Sequence, residues 1–176
     1  MKNLLLLLSA GTLFIACSDK KKEAGEKEAV SVTVKMPYAP VYSSSFSLGN
    51  PEYATMIVQG SWKDWETNKM DNMKSWIADT IVAFHSDNKM AQGADSLIAQ
   101  WKKNRANYTS VIDSIHAVIP IYSTDKKENW VLVWASEINT DTKGKTDTIE
   151  LMETWRINKD GKADMLLQYD RHARKE

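Results

Sequence analysis

From Ser110 onward the chain is written in a period of two. Four segments, Ser110–Tyr122, Asn129–Ile138, Asp147–Asn158 and Ala163–Arg171, alternate between two kinds of side chain, as strands with two different faces do. The connections between them are polar: Ser123–Glu128, Thr140–Thr146, and Asn158-Lys159-Asp160-Gly161, which sets glycine where a tight hairpin needs positive φ. Three successive hairpins therefore make a long antiparallel meander.

Before the meander the period is helical. Ala54, Val58, Trp62 and Trp65 recur at spacings of four, four and three, with Pro51 suited to a first turn, and predict a helix from Pro51 to about Asn68. Gly60 interrupts it. Asp71 reads as the N-cap of a short second helix in which Met73, Trp76 and Ile77 share a face. A third helix lies in the ADSLIAQWKKNRANY segment, with Ala94, Leu97, Ile98, Trp101 and Tyr108 on one stripe and Lys102, Lys103 and Arg105 mostly off it. A short strand, Thr80–His85, separates the second helix from the third. Helices first and sheet afterwards mean a segregated α+β fold.

The N-terminal end has another character. Lys2 precedes an uncharged apolar run, Leu4 to Ala16, and the only cysteine, Cys17, is followed at once by SDKKKEAGEKE. About 13 residues at about 1.5 Å each fall short of a hydrocarbon core of about 30 Å, so the run reads as the apolar region of a secretory signal. Phe14-Ile15-Ala16-Cys17 resembles the lipobox of bacterial lipoproteins. That resemblance implies cleavage before Cys17, lipidation of its sulfur, and attachment by acyl chains, two of which already suffice for stable anchoring. The expected organisation is a signal at 1–16, a lipidated cysteine and charged tether at 17–35, an extended segment packing on the domain at 36–50, and one domain at 51–172. Ser18 after the cysteine favours the outer membrane of a Gram-negative envelope, with the membrane side left open.

Removing Lys2 with the signal leaves 22 basic and 23 acidic residues, a net charge of −1. Without a basic excess the electrostatic attraction that dominates nucleic-acid binding is missing, and no nucleic-acid partner is expected. His85, His116 and His172 show no metal-ligand spacing. The NKDGKAD turn fails as a calcium loop, because aligning its glycine puts Arg156 first and Leu167 last. Phosphate-binding and nucleophile-elbow motifs are absent from the sequence. Neither a metal nor a cofactor is expected.

The order of elements, with WKDWE at Trp62–Glu66, SWIADTIVAFHSDN at Ser75–Asn88 and ETWRINKDGKADMLLQYD at Glu153–Asp170, resembles the NTF2-like, or SnoaL-like, superfamily. The resemblance implies a cone: three N-terminal helices packed in a strongly curved, mainly antiparallel sheet, with a pocket at the wide end. The family includes isomerases, cyclases, dehydratases and epoxide hydrolases beside members with no catalysis, so the fold alone does not assign a function. By its place in the motif His85 matches the position where ketosteroid isomerases of the family hold their general-base aspartate. The tyrosine that pattern sets on the first helix has no counterpart; Trp62 and Trp65 stand in its neighbourhood.

Read from the residues, Asp113 interrupts an apolar strand face (Val111, Ile115, Ala117, Ile119, Ile121), Glu153 sits among Ile149, Leu151, Trp155 and Ile157, and Val131, Val133 and Ala135 lead to Glu137. A carboxyl with apolar neighbours and no partner of its own has a raised pKa and can serve as an acid or base. The candidate catalytic residues are His85, Asp113 and Glu153. Trp62, Trp65, His85, Asp113, Trp134, Glu153 and Trp155 are the candidate pocket lining. Seven tryptophans mean core or ligand cavity. The leading expectation is a lipid-anchored, non-catalytic domain that binds a small apolar or amphipathic ligand, or a protein partner, with a homodimer through the open sheet face compatible with it. The alternative is an isomerase, dehydratase or hydrolase using His85 with Asp113 or Glu153.

Overall fold

The computed structural model describes residues 37–172. The expected signal, the lipidated Cys17 and the tether lie outside the described residues. The described part is an α+β cone whose seven-stranded sheet curls around the helices without closing.

In chain order the strands are β1 (Phe46–Leu48), β2 (Ile77–Phe84), β3 (Met90–Gln92), β4 (Tyr108–Ser123), β5 (Glu128–Asp141), β6 (Thr146–Ile157) and β7 (Ala163–His172). They lie in the order β1-β4-β5-β6-β7-β2-β3. The three hairpins from β4 to β7 form the predicted meander. β2 adds to it parallel to β7, and β1 and β3 pair antiparallel at the two edges. The Asn158–Lys162 turn closes through Gly161 at φ 75°.

The first helical rod runs as α1 (Pro51–Ile57), a π-helical segment at Val58–Lys63 and α2 (Asp64–Glu66). Asn50 caps it, its side-chain oxygen accepting from the Glu52 amide at 2.9 Å with Pro51 in the first turn. The π segment falls at Gly60 because the Trp76 indole lies across that turn: a Cβ on Gly60 would stand 2.3 Å from Trp76 Nε1. The buried stripe runs through Ile57 rather than Val58, and within the π turn Gly60, Ser61 and Trp62 are all buried. The expected second helix is a 3₁₀ run, Met70–Ser75, and Asp71 is not its cap; its exposed carboxylate pairs with Lys102. Ile77, expected in that helix, already belongs to β2. α3 (Ala94–Arg105) ends before Tyr108, which opens β4.

The narrow end of the cone is solid. Trp155 is fully buried and meets Trp76 edge to face at 5.4 Å and Trp101 at 6.1 Å; Trp65 joins Trp101 at 5.9 Å. Val131, Val133, Ile157, Ala163 and Leu166 pack around them. On the outer face the extended N-terminal segment lays Tyr42 edge-on against Trp130, and Arg156 stacks over the same ring.

β4 departs from strict alternation in a way that bears on the site. Between Ile115 and Ala117 β4 carries a bulge at His116, and the extra residue reverses which side chains face inward. Val111, Asp113 and Ile115 keep the inner face, as expected. Beyond the bulge Ala117, Ile119 and Ile121 oppose Trp134, Leu132 and Trp130 on the outer face, while Val118 and Pro120 turn inward opposite Val133 and Val131.

Candidate functional site: an acidic, tryptophan-walled cavity

At the wide end the helices and the inner sheet face part to leave a cavity of about 600 Å³, open to solvent, a volume suited to a small organic molecule. Trp62, Trp65 and Trp101 form the helical wall, and Ile149 and Leu151 of β6 the facing one. The floor is acidic: Glu137 from β5 and Glu153 from β6, with Gln168 of β7 beside them. Asp87, Lys89, Lys103, Asp170 and His172 reach its rim.

Glu153 is buried and held by three donors: Trp155 Nε1 at 2.9 Å, Gln168 Nε2 at 3.0 Å and Ser61 Oγ at 3.4 Å. Burial outweighs those hydrogen bonds and pushes its carboxyl up to about 7. Glu137, also buried, accepts from Asn139 Nδ2 at 2.5 Å. Its pKa too is raised by burial, against the opposing pull of Asn139, of the Trp65 indole N–H and of the Arg105 charge.

Asp113 stands directly opposite Glu137 across the β4–β5 ladder. Neither of its carboxyl oxygens touches solvent or accepts a hydrogen bond from an ordinary donor. The group that faces it is the Glu137 carboxyl, and two carboxyls are partners only when one carries a proton. Burial first, then the charges of Glu137, Glu66 and Glu153, push Asp113 up to about 8. Near neutral pH burial therefore favours the protonated form of Asp113, behind Glu137.

Arg105 answers a different need. Expected off the buried stripe, it is buried, and its guanidinium donates to the carbonyls of Trp65 (2.9 Å), Glu66 (3.1 Å) and Tyr108 (2.8 Å). It ties the end of α2 to the start of β4, adding donors to the Glu66 carbonyl and to that of Trp65, which also accepts from the Asn68 amide at 3.1 Å.

The cavity brings together Trp62, Trp65, His85 and Glu153 of the residues singled out in the sequence. Asp113 lies behind Glu137 rather than in the lining. Trp155 is core, its indole N–H supporting Glu153 from beneath. Trp134 is on the opposite side of the sheet, where it borders a shallow groove with His116, Met152 and Tyr169; the even positions of β5 face outward, and Trp134 is one of them. His85 follows β2 with Nε2 buried and unpaired. No hydrogen bond joins it to Asp113 or Glu153, so the three candidate catalytic groups do not form a connected unit. His116 bonds Ser136 Oγ at 2.8 Å on the outer face, and Ser136 in turn donates to Glu150. Glu137 was marked in the sequence only by the alternation leading to it; Gln168 and Arg105 carried no signal. Among the described residues no group of His, Cys, Asp and Glu side chains is placed to hold a metal ion.

No protein-family model and no curated protein matches this sequence. Solved structures do share its fold. An LEH-like epoxide hydrolase from M. tuberculosis aligns with a TM-score of 0.56 at 11% identity, over 68% of this chain and 84% of that one. An NTF2-like protein of unknown function from Exiguobacterium sp. 255-15 gives 0.55 at 13%, over 65% and 97%. A Δ5-3-ketosteroid isomerase from Mycobacterium sp. gives 0.54 at 16%, over 69% and 98%. The fold is thus the NTF2-like cone, shared with SnoaL-like cyclases and isomerases. At these identities the likeness concerns the fold.

Proposed function

We propose that this domain is a binding module of the cell envelope, tethered through lipidated Cys17 to the outer membrane of a Gram-negative cell, and that it holds a small, largely apolar molecule in its cone without converting it. The observation that carries the reading is the cavity itself, about 600 Å³ with three tryptophans on its wall and with His85 hydrogen-bonded to neither Asp113 nor Glu153. An apolar body loses water against the indoles, and a few polar groups on the floor fix its orientation. Exposed Ile112, Ile119, Ile138 and Tyr169 leave the outer sheet face suited to a second copy of the chain.

Catalysis is the second reading, favoured by one observation: burial raises the carboxyls of Glu153, Glu137 and Asp113 toward neutral pH, where an acid–base group works. The similar structures include an epoxide hydrolase and a ketosteroid isomerase. One experiment separates the two. The protein is purified from its native envelope, and small molecules released from it are identified by mass spectrometry. A stoichiometric compound, recovered unchanged after prolonged incubation with the protein and lost in a cavity-filling Leu151→Trp variant, is the expected result. Conversion of that compound moves the assignment to catalysis, and recovery of nothing across repeated preparations defeats constitutive capture.

A further inference from the structure

The cavity floor is short of positive charge. Glu137 and Glu153 face the cavity and Asp113 lies behind them, yet among the described residues the one buried Lys or Arg, Arg105, directs its hydrogen bonds to backbone carbonyls. The rim does not make up the difference. Lys89 is paired with Asp87 at 2.5 Å, and Lys103 is exposed on α3. Asp170 accepts from Ser86 at 2.6 Å and has His172 Nε2 at 3.5 Å. His85, the Tyr108 phenol and Glu66 complete the ionisable groups around the floor.

We propose that the cavity takes an organic ammonium ion, an amine on an apolar body, with the charge seated at the Glu137–Glu153 floor and the body against Trp62, Trp65 and Trp101. This rests on the reading of the cone as a binding module and names the class of its ligand. The aromatic wall attracts a cation through the ring quadrupoles, and the ammonium brings the acidic floor a hydrogen-bonded positive partner, a role that Arg105, whose donors go to carbonyls, plays only from a distance. A carboxylate ligand would meet like charge in a desolvated place. The ammonium also stabilises ionised carboxyls, so it drives protons off them as it binds. Proton release on binding is a signature that apolar capture alone lacks.

The test is isothermal titration calorimetry on the full lipidated chain in nonionic detergent, at pH 7, with three probes of one shape: 2-phenylethylamine, 2-phenylethanol and phenylacetate. Repeating the amine titration in buffers of different ionisation enthalpy counts the protons released. The amine is expected to bind about tenfold more tightly than the alcohol, a difference of about 1.4 kcal/mol, with phenylacetate weakest and protons released only by the amine. Glu153→Gln should remove most of the amine's advantage; Glu137→Gln serves the same purpose if the first variant fails to fold. Equal or tighter binding of the alcohol or the acid overturns the ammonium assignment and leaves the binding module standing. No binding of any probe at millimolar concentration overturns both.

Discussion

The two ends of the cone are built from the same strands and do opposite things. Along the inner face of β5, Val131 and Val133 are sealed in the core, Ala135 marks the boundary, and Glu137 and Asn139 are buried polar groups at the far end. β6 runs the same course in reverse: Ile157 and Trp155 are core, Glu153 sits at the boundary, and Leu151 and Ile149 line the cavity. The narrow end is stabilised by burying apolar area. The wide end sets carboxyls in a place that penalises their charge and keeps its apolar surface unfilled. Such a gradient costs stability, which a fold tolerates where the site is used.

Removing the joint between the ends should have the largest effect. Trp155 packs on Trp76 and Trp101 and also donates to Glu153. Trp155→Ala leaves a void and one carboxyl short of a donor, and is expected to destabilise by about 3–5 kcal/mol in urea unfolding. A loss below about 1 kcal/mol would mean that the narrow end is not the stability core.

This contrast explains what the sequence could and could not tell. The meander was legible because each strand has two unlike faces, and alternation records faces directly. The first helix was legible for the same reason up to Ala54; beyond it Ile57 is buried in place of Val58, and a π turn at Gly60 makes room for Trp76. The bulge at His116 left no local mark, since one additional residue changes parity without changing composition; it reassigned Ala117, Ile119 and Ile121 to the outer face. The parallel pairing of β2 with β7 joins segments about 80 residues apart, which local pattern does not encode. At the site, Asp113 and Glu153 were visible as carboxyls in apolar company. Their surroundings were not: Glu137 became important only when register set it opposite Asp113, and Arg105 looked like one more surface cation until the fold brought the carbonyls of Trp65, Glu66 and Tyr108 around it.

The wide end should reveal itself through pH. An acid whose folded pKa is raised binds its proton more tightly when folded, so stability falls as pH climbs from the unfolded value toward the folded one. For Asp113 that window runs from about 4 to about 8, and for Glu153 from about 4.5 to about 7. Below the window both states are protonated and the penalty vanishes. Chemical denaturation across pH 4–9 should thus show stability declining toward alkaline pH. Asp113→Asn removes the group pushed up to about 8, so its decline should be shallower and the variant should exceed the wild type at pH 8.5. Parallel curves for the two proteins would mean that burial does not raise the Asp113 carboxyl.

The smallest effect belongs to the outer face, where the same residue types serve no comparable purpose. His116, Ser136 and Glu150 are hydrogen-bonded in sequence, but serine stands between the other two, so the histidine is not oriented by the carboxylate as a general base would be. His116 is exposed, and the bulge that carries it is set by the register on either side of it. His116→Ala is therefore expected to change unfolding free energy by no more than about 0.5 kcal/mol and to leave binding in the cavity untouched. A larger loss of stability would mean that the bulge depends on this side chain; a loss of cavity binding would mean that the two faces of the sheet are coupled through β5, whose even residues face one and odd residues the other.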